Sequence, residues 1–261
     1  MKVGFLVLVL MLEPWRPQAW GALGAALLTR WRLFLSARMP GAGAVRWLGV
    51  VGIPLLLMTG IQSGLERLHL GAVVPLLVLA LGIDLRGPLA HLRLRREQIR
   101  THAESDPSVR AALDEGILSS YRHFFAPLFW FFLLPGGWGP LLYCGTVLLV
   151  EAEPEGLFYR RIQAWLDWIP TRLLALTFAL VGDFEEALYA WRDPERLPLS
   201  SRELLRAVVH GALGLGQTNG ENGPFDALEA DQLTSAEGLI WRAVVLWGVG
   251  AGLATALLGG H

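Results

Sequence analysis

The sequence predicts an all-α, polytopic integral membrane protein with about five apolar segments, one of them broken at Pro135 to Pro140, joined by cytoplasmic helical connections. Three observations predict it. Of 261 residues, 53% are hydrophobic and 17% charged, and the mean hydropathy is +0.44, well above the apolar content of an ordinary soluble domain. Apolar runs recur at lengths suited to about 30 Å of hydrocarbon. Arginines gather between those runs, a layout that speaks of topology and, with a net charge of -1, not of nucleic-acid binding. The whole chain, 1–261, reads as a single membrane domain.

The broken segment organises the rest. Phe124 to Val150 (FFAPLFWFFLLPGGWGPLLYCGTVLLV) carries no acidic or basic side chain and exceeds the roughly 20 residues of a membrane helix. Pro135, Gly136, Gly137, Gly139 and Pro140 interrupt it, and lipid cannot satisfy the backbone groups that they free. The expected cover is the equally irregular Trp165–Val181 segment, whose Asp167 and Arg172 would face the break across a polar notch. A single kinked crossing would put Glu151–Gln163 in the periplasm; re-entry would keep it in the cytoplasm.

The other segments follow in order. Val3–Leu12, behind Lys2, has the length of a signal-peptide core, but Glu13-Pro14-Trp15-Arg16-Pro17 replaces a cleavage site, so the run is expected to be retained. Ala19–Leu35, with Arg30 and Arg32, reads as an amphipathic surface helix. Trp47–Ile61 is the first span, with Pro54 a tolerated kink, and Leu70–Leu85 the second, the pair forming a hairpin. In 86–122 the arginines outnumber the acids, so this helical loop is placed in the cytoplasm, with a helix boundary at Ser105 to Ser108. Residues 183–238 form a polar helical region, comprising a helix at DFEEALYAWRD, a turn at Pro194–Pro198, a second helix at SRELLRAVVHGALGLG and a loop at Gln217–Gly223. Leu239–Leu258 is the last span, where Gly248, Gly250 and Gly252 permit close packing. The single cysteine, Cys144, excludes an internal disulfide and paired-cysteine zinc sites, and reads as a buried structural thiol.

Six residues are candidates for ligand binding. Asp167 and Arg172 sit within an apolar frame, where ionisable groups are costly. Five residues apart, they are separated by about 140° of helical rotation, so no direct bond within a helix is expected. Pro170 favours a helix starting near it, with Asp167 capping it or facing a notch and Arg172 binding a phosphate or carboxylate. The alternative is a capping Asp and an Arg snorkelling to headgroups. Arg122 and His123 precede the broken segment and would either meet a substrate head group at the membrane surface or form a basic-aromatic interface belt. Asp183 and Glu186, at i and i+3, would either offer oxygens to Mg²⁺ or form a solvated acidic first turn. His210 reads as a packing histidine, since no acid, Ser or Cys lies at a recognisable spacing. There is no Walker loop, HExxH, GxSxG or dinucleotide fingerprint, and the residues call for no metal or cofactor.

The text RHFFAPLFWFFLLPGGWGP, with AWLDWIPTRLLALTFALVGDFEEALYAW and the opening FLVLVLMLE, closely resembles the AmpE family. These are inner-membrane proteins linked genetically to AmpD, the peptidoglycan amidase, and to β-lactamase induction. The resemblance implies a multi-pass protein of the bacterial inner membrane that signals by binding rather than by catalysis. Its expected partners are membrane lipids, a cell-wall-derived ligand or a protein partner, and a second copy of itself. AmpE proteins are in turn similar to the CobD/CbiB family of cobalamin biosynthesis, through the blocks APLFW, GG, IPTRL and HGALGLG. That similarity implies the alternative, a membrane enzyme joining an amine to an anionic substrate with Mg²⁺ or a nucleotide. The aspartate pair of that family stands here as Gln163 and Ala164, its asparagine as Asp167, and CGTV replaces its NTLD-type tract after Tyr143.

Overall fold

The computed structural model describes residues 19–38, 43–67, 73–102, 106–192, 200–215 and 225–258. The Val3–Leu12 run, the Pro194–Pro198 turn and the Gln217–Gly223 loop lie outside them. Every regular element among the described residues is a helix. In order these are α1 (Ala19–Arg38), α2 (Ala44–Glu66), α3 (Val73–Gly82), α4 (Arg86–His102), α5 (Asp106–Ser120), α6 (Ala126–Leu133), α7 (Trp138–Ala152), α8 (Leu157–Val181), α9 (Phe184–Arg192), α10 (Ser201–Ala212) and α11 (Phe225–Leu258). Four helical stretches, Ala44–Glu66, Val73–Gln98, Leu157–Val181 and Gln232–Leu253, are long and apolar enough to cross a membrane, and α7 is a shorter apolar helix. The chain is thus an all-α, multi-pass membrane protein.

Several boundaries differ from the sequence reading. No helix starts at Pro170: α8 runs unbroken from Leu157 with Pro170 inside it. The Glu151–Gln163 connector shrinks to residues 153–156, because α7 and α8 extend into it from both sides. The last span belongs to a helix that begins at Phe225, within the region read as polar.

Two compact units divide the chain. The first comprises Met1–Asp84, His123–Asp167 and Ala254–His261. Within it, the broken segment is a helical hairpin. Pro135 pushes Leu134 into an extended conformation (φ -95°, ψ 152°), as the residue before a proline prefers. Gly136 then takes φ +58°, open to glycine at little cost, and α7 begins at Trp138. A side chain at Gly139 would collide with the backbone of Trp130 and Phe131, so the arms of the hairpin touch backbone to backbone. Phe124–Val150 therefore reverses on itself at the Pro135 to Gly137 turn.

The tip is covered from α2 and α3. A Cβ on Gly136 would lie 2.7 Å from Oε1 of Gln62 in α2, and one on Gly137 would lie 2.8 Å from Cβ of Val78 in α3. Along α7, Trp47 Nε1 donates to Thr146 Oγ1 at 3.0 Å, Gly145 faces Val51, and Arg46 pairs with Glu153. Gly82 packs on Pro140, and the Cys144 thiol points at the Gly82 carbonyl at 3.7 Å. In α1, Trp31 Nε1 donates to Gly49 O at 3.3 Å, and Gly24 lies against the backbone of Leu81.

The second unit comprises Leu85–Arg122 and Trp168–Leu253. Helices α4 and α5 close on each other where Gly116 meets Leu92. Helices α9 and α10 cross at Gly211, where a Cβ would stand 2.6 Å from the Glu186 carbonyl oxygen. Trp247 Nε1 of α11 donates to Thr177 Oγ1 of α8 at 3.0 Å. The start of α10 is a capping box: Ser200 N donates to Glu203 Oε2 at 2.8 Å while Glu203 N donates to Ser200 Oγ at 3.3 Å.

Two outcomes follow from this architecture. In a Cys144→Ala background, single cysteines at His123 and Glu155 are expected to react with an impermeant maleimide from the same side of the membrane; labelling from opposite sides would rule out the hairpin. The Ser200 hydroxyl and backbone N–H hold the Glu203 carboxyl below its ordinary range. A depressed carboxylate stabilises above its unfolded value, about 4.3 for Glu, and that contribution is lost as pH falls through the folded value. Amide exchange in α10, corrected for intrinsic pH dependence, should rise on acidification below about pH 4, and Glu203→Gln should flatten that rise.

Candidate functional site

The site is set by prolines inside helices. A proline has no N–H to give the carbonyl four residues before it, and in hydrocarbon an unsatisfied carbonyl is costly. Pro170 within α8 therefore frees Leu166 O, and the indole Nε1 of Trp130 in α6 donates to it at 3.2 Å. Pro127, one residue into α6, likewise frees His123 O, and the backbone N of Asp84 donates to it at 2.8 Å. A wider π-type turn at Tyr121–Phe125 leads into that proline.

Beside the Pro170 gap lies the one intramembrane acid among the candidates. Tyr143 of α7 donates its hydroxyl to Asp167 Oδ1 at 2.8 Å. Tyr143 is fully buried and Asp167 is 6% exposed, so the hydrogen bond works in a dry setting where it is strong and its loss costly. Tyr159, Gln163 and Asp167, spaced four apart, form a buried stripe on α8. The two arms of the hairpin each place one donor on α8, Trp130 from α6 and Tyr143 from α7. Asp167 is thus one turn ahead of a helical proline and aimed at the hairpin, not capping a new helix.

Arg172 folds over its own helix, with NH1 donating to Trp168 O at 3.0 Å and the guanidinium 4.2 Å from the Trp168 ring centroid, the geometry of a snorkelling residue. Asp183 caps α9: its Oδ1 accepts from Glu186 N at 3.2 Å while its own N donates to Ala212 O at 2.9 Å. Glu186 belongs to that first turn. Among the described residues no group of three His, Cys, Asp or Glu side chains is placed to hold a metal ion. Arg122 is half-buried and His123 exposed, both in the π-type turn that enters α6.

Sequence reasoning missed one cluster. In the second unit, Asp114 of α5 meets His210 Nε2 at 2.9 Å through Oδ1 and Arg206 Nε at 3.4 Å through Oδ2. Arg206 and His210 share a face of α10 at i, i+4. His210 thus has an acid partner. Its partner sits 96 residues away in sequence, so no local spacing signals it. The trio fastens α5 to α10 and orients the imidazole.

Comparison with known proteins places this geometry. Residues 100–194, from the end of α4 through α9, match the family described as regulatory signalling modulator protein AmpE. Over 242 residues the chain is 29% identical to the cobalamin biosynthesis protein CobD of Stutzerimonas stutzeri, the match covering 78% of this chain and 79% of the relative. Over 83 residues it is 35% identical to Protein AmpE of Shigella flexneri, covering 28% of this chain and 29% of the relative. No solved structure matches the chain. The AmpE match includes Trp130, Tyr143, Asp167, Pro170 and Asp183.

The Trp130–Leu166 bond has a distinctive test. Trp130→Phe removes the donor and is expected to cost about 1–3 kcal/mol, the range for an orphaned buried group. In a Pro170→Ala background the helix supplies its own N–H to Leu166 O, so the same substitution should cost clearly less. Equal costs in the two backgrounds, measured by denaturation in mild detergent, would show that the indole is not filling the proline gap.

Proposed function

We propose that this chain is an AmpE-like regulatory protein of the bacterial inner membrane, acting by binding a cell-wall-derived ligand or a protein partner and linked to β-lactamase induction. The observation that supports this reading most directly is the buried Tyr143–Asp167 clasp between the hairpin and α8, inside the segment that matches the AmpE model. A hairpin held by donors to one buried helix face is an element that a bound ligand can bias by favouring one arrangement of those bonds. Three acids of this segment are engaged in structure: Asp114 with His210 and Arg206, Asp167 with Tyr143, and Asp183 at a helix cap.

A second reading is a CobD-like enzyme joining an amine to an anionic substrate. It draws on the 29% identity that extends over 78% of the chain. Against it stand Gln163 and Ala164 at the positions of that family's aspartates.

The two readings separate in one pair of measurements. In a host carrying an inducible β-lactamase, Asp167→Asn and Tyr143→Phe are expected to shift induction while the protein still accumulates in the membrane. Purified chain given nucleotide, Mg²⁺, an amine and corrinoid acids should form no amide. Amide formation abolished by Asp183→Ala and Glu186→Ala, with induction unchanged by the clasp variants, would establish the enzyme instead.

A further inference from the structure

A cavity of about 400 Å³ in the second unit belongs to none of the groups described above. Its wall is made by Gly182 after α8, Ala212 and Leu213 ending α10, and Thr234, Ser235, Gly238 and Arg242 along α11. The volume falls in the range of small-molecule sites.

Its chemistry is that of an anion site. Arg242 lies in the Gln232–Leu253 stretch, which is apolar enough to span a membrane, where an ionisable group marks a functional position by default. Among the described residues no carboxylate lies within ion-pair distance of it, and its guanidinium gives NH1 to Val181 O at 3.2 Å. Four of its five N–H donors remain. The neighbouring cation, Arg93, is neutralised by Glu237, whereas Arg96 reaches the same rim by donating to Thr234 Oγ1 at 3.2 Å. Ser235 adds a hydroxyl to the lining.

The ends of α8 and α10 would by themselves repel an anion. The last carbonyl of each helix is taken, however: Val181 O by Arg242 and Ala212 O by the backbone N of Asp183. The room is made by a glycine. A Cβ on Gly238 would meet nothing within 4 Å, so the floor of the cavity is open where any other residue would partly fill it.

We infer that this cavity binds a phosphate-bearing anion with Arg242 as its charge partner and the Ser235 and Thr234 hydroxyls beside it, the ligand being either the headgroup of an anionic phospholipid or a soluble phosphate ester. A net-negative headgroup is preferred because one guanidinium without a carboxylate neutralises one charge, and a zwitterionic headgroup brings its own cation. This inference holds whether the chain regulates or catalyses.

The test uses the full chain purified in a mild detergent and read by native mass spectrometry. With equal amounts of phosphatidylglycerol and phosphatidylcholine, the wild type is expected to retain one phosphatidylglycerol with about tenfold preference, the scale of one charge-assisted bond set. Arg242→Gln should abolish the preference, and Arg242→Lys should keep part of it. Gly238→Leu, which builds into open space and leaves the fold intact, should abolish it as well. The double variant Arg93→Gln with Glu237→Gln, which removes the neighbouring ion pair without changing the net charge, should leave it unchanged.

A second arm replaces lipid with sn-glycerol 3-phosphate and inorganic phosphate in nanodiscs of phosphatidylcholine alone. Saturable binding there, lost with Arg242→Gln and Gly238→Leu, identifies a soluble phosphate ester as the ligand. Absence of any preference in both arms, or a preference indifferent to both Arg242→Gln and Gly238→Leu, overturns the inference.

Discussion

A carbonyl freed by proline inside a membrane helix must find a donor in the protein, and this one requirement ties together much of the first unit. Water is not at hand to satisfy it. Pro170 frees Leu166 O, which takes the Trp130 indole, and Pro127 frees His123 O, which takes the Asp84 backbone N–H. In each case the donor comes from a distant part of the chain, so each proline fixes where another element must lie. The first bond sets the α6 arm of the hairpin against α8. The second sets the end of α3 against the entry to α6. A proline that would weaken a soluble helix thus specifies tertiary structure here.

Glycine does the complementary work. Where two backbones must meet, at Gly139 on Trp130, Gly24 on Leu81 and Gly211 on Glu186, a side chain would collide with main-chain atoms that cannot move aside. Without a hydrophobic drive between helices in lipid, such close approach is a main source of packing energy. The hairpin needs both devices. Gly139 lets its arms touch, and Trp130, at that same contact, extends its ring to α8. Replacing either residue would disturb the placement of Tyr143, whose hydroxyl must reach Asp167.

The parts of this structure legible in the sequence were those governed by local chemistry. Run length and the absence of charge gave the apolar segments, and Pro135 to Pro140 gave the break. The acidic helix start at Asp183 to Glu186 was readable, although Asp183 proves to be the cap before the first turn and not a member of it. What escaped was non-local. Gln62 and Val78 cover the hairpin tip from helices more than fifty residues away in sequence, and Asp114 reaches His210 across 96 residues. Pro170 misled because proline at a helix start and proline inside a membrane helix look alike locally. The difference lies in whether an outside donor such as Trp130 exists, and no spacing rule reports that.

The buried stripe of Tyr159, Gln163 and Asp167 sharpens what the two functional readings demand. An enzyme acting at Asp167 would need substrate and water to reach a carboxylate that is 6% exposed and already holds the Tyr143 hydroxyl. Breaking that bond in a dry interior leaves two polar groups unsatisfied, at a cost each of about 1–3 kcal/mol. A regulator needs only that the same bond have two arrangements whose balance a ligand shifts, and differences of a few kcal/mol suit such a balance. With Gln163 one turn before Asp167, the stripe has hydrogen-bonding capacity beyond its single acid. That composition favours a polar latch over a proton-transfer site and directs attention to what moves the hairpin.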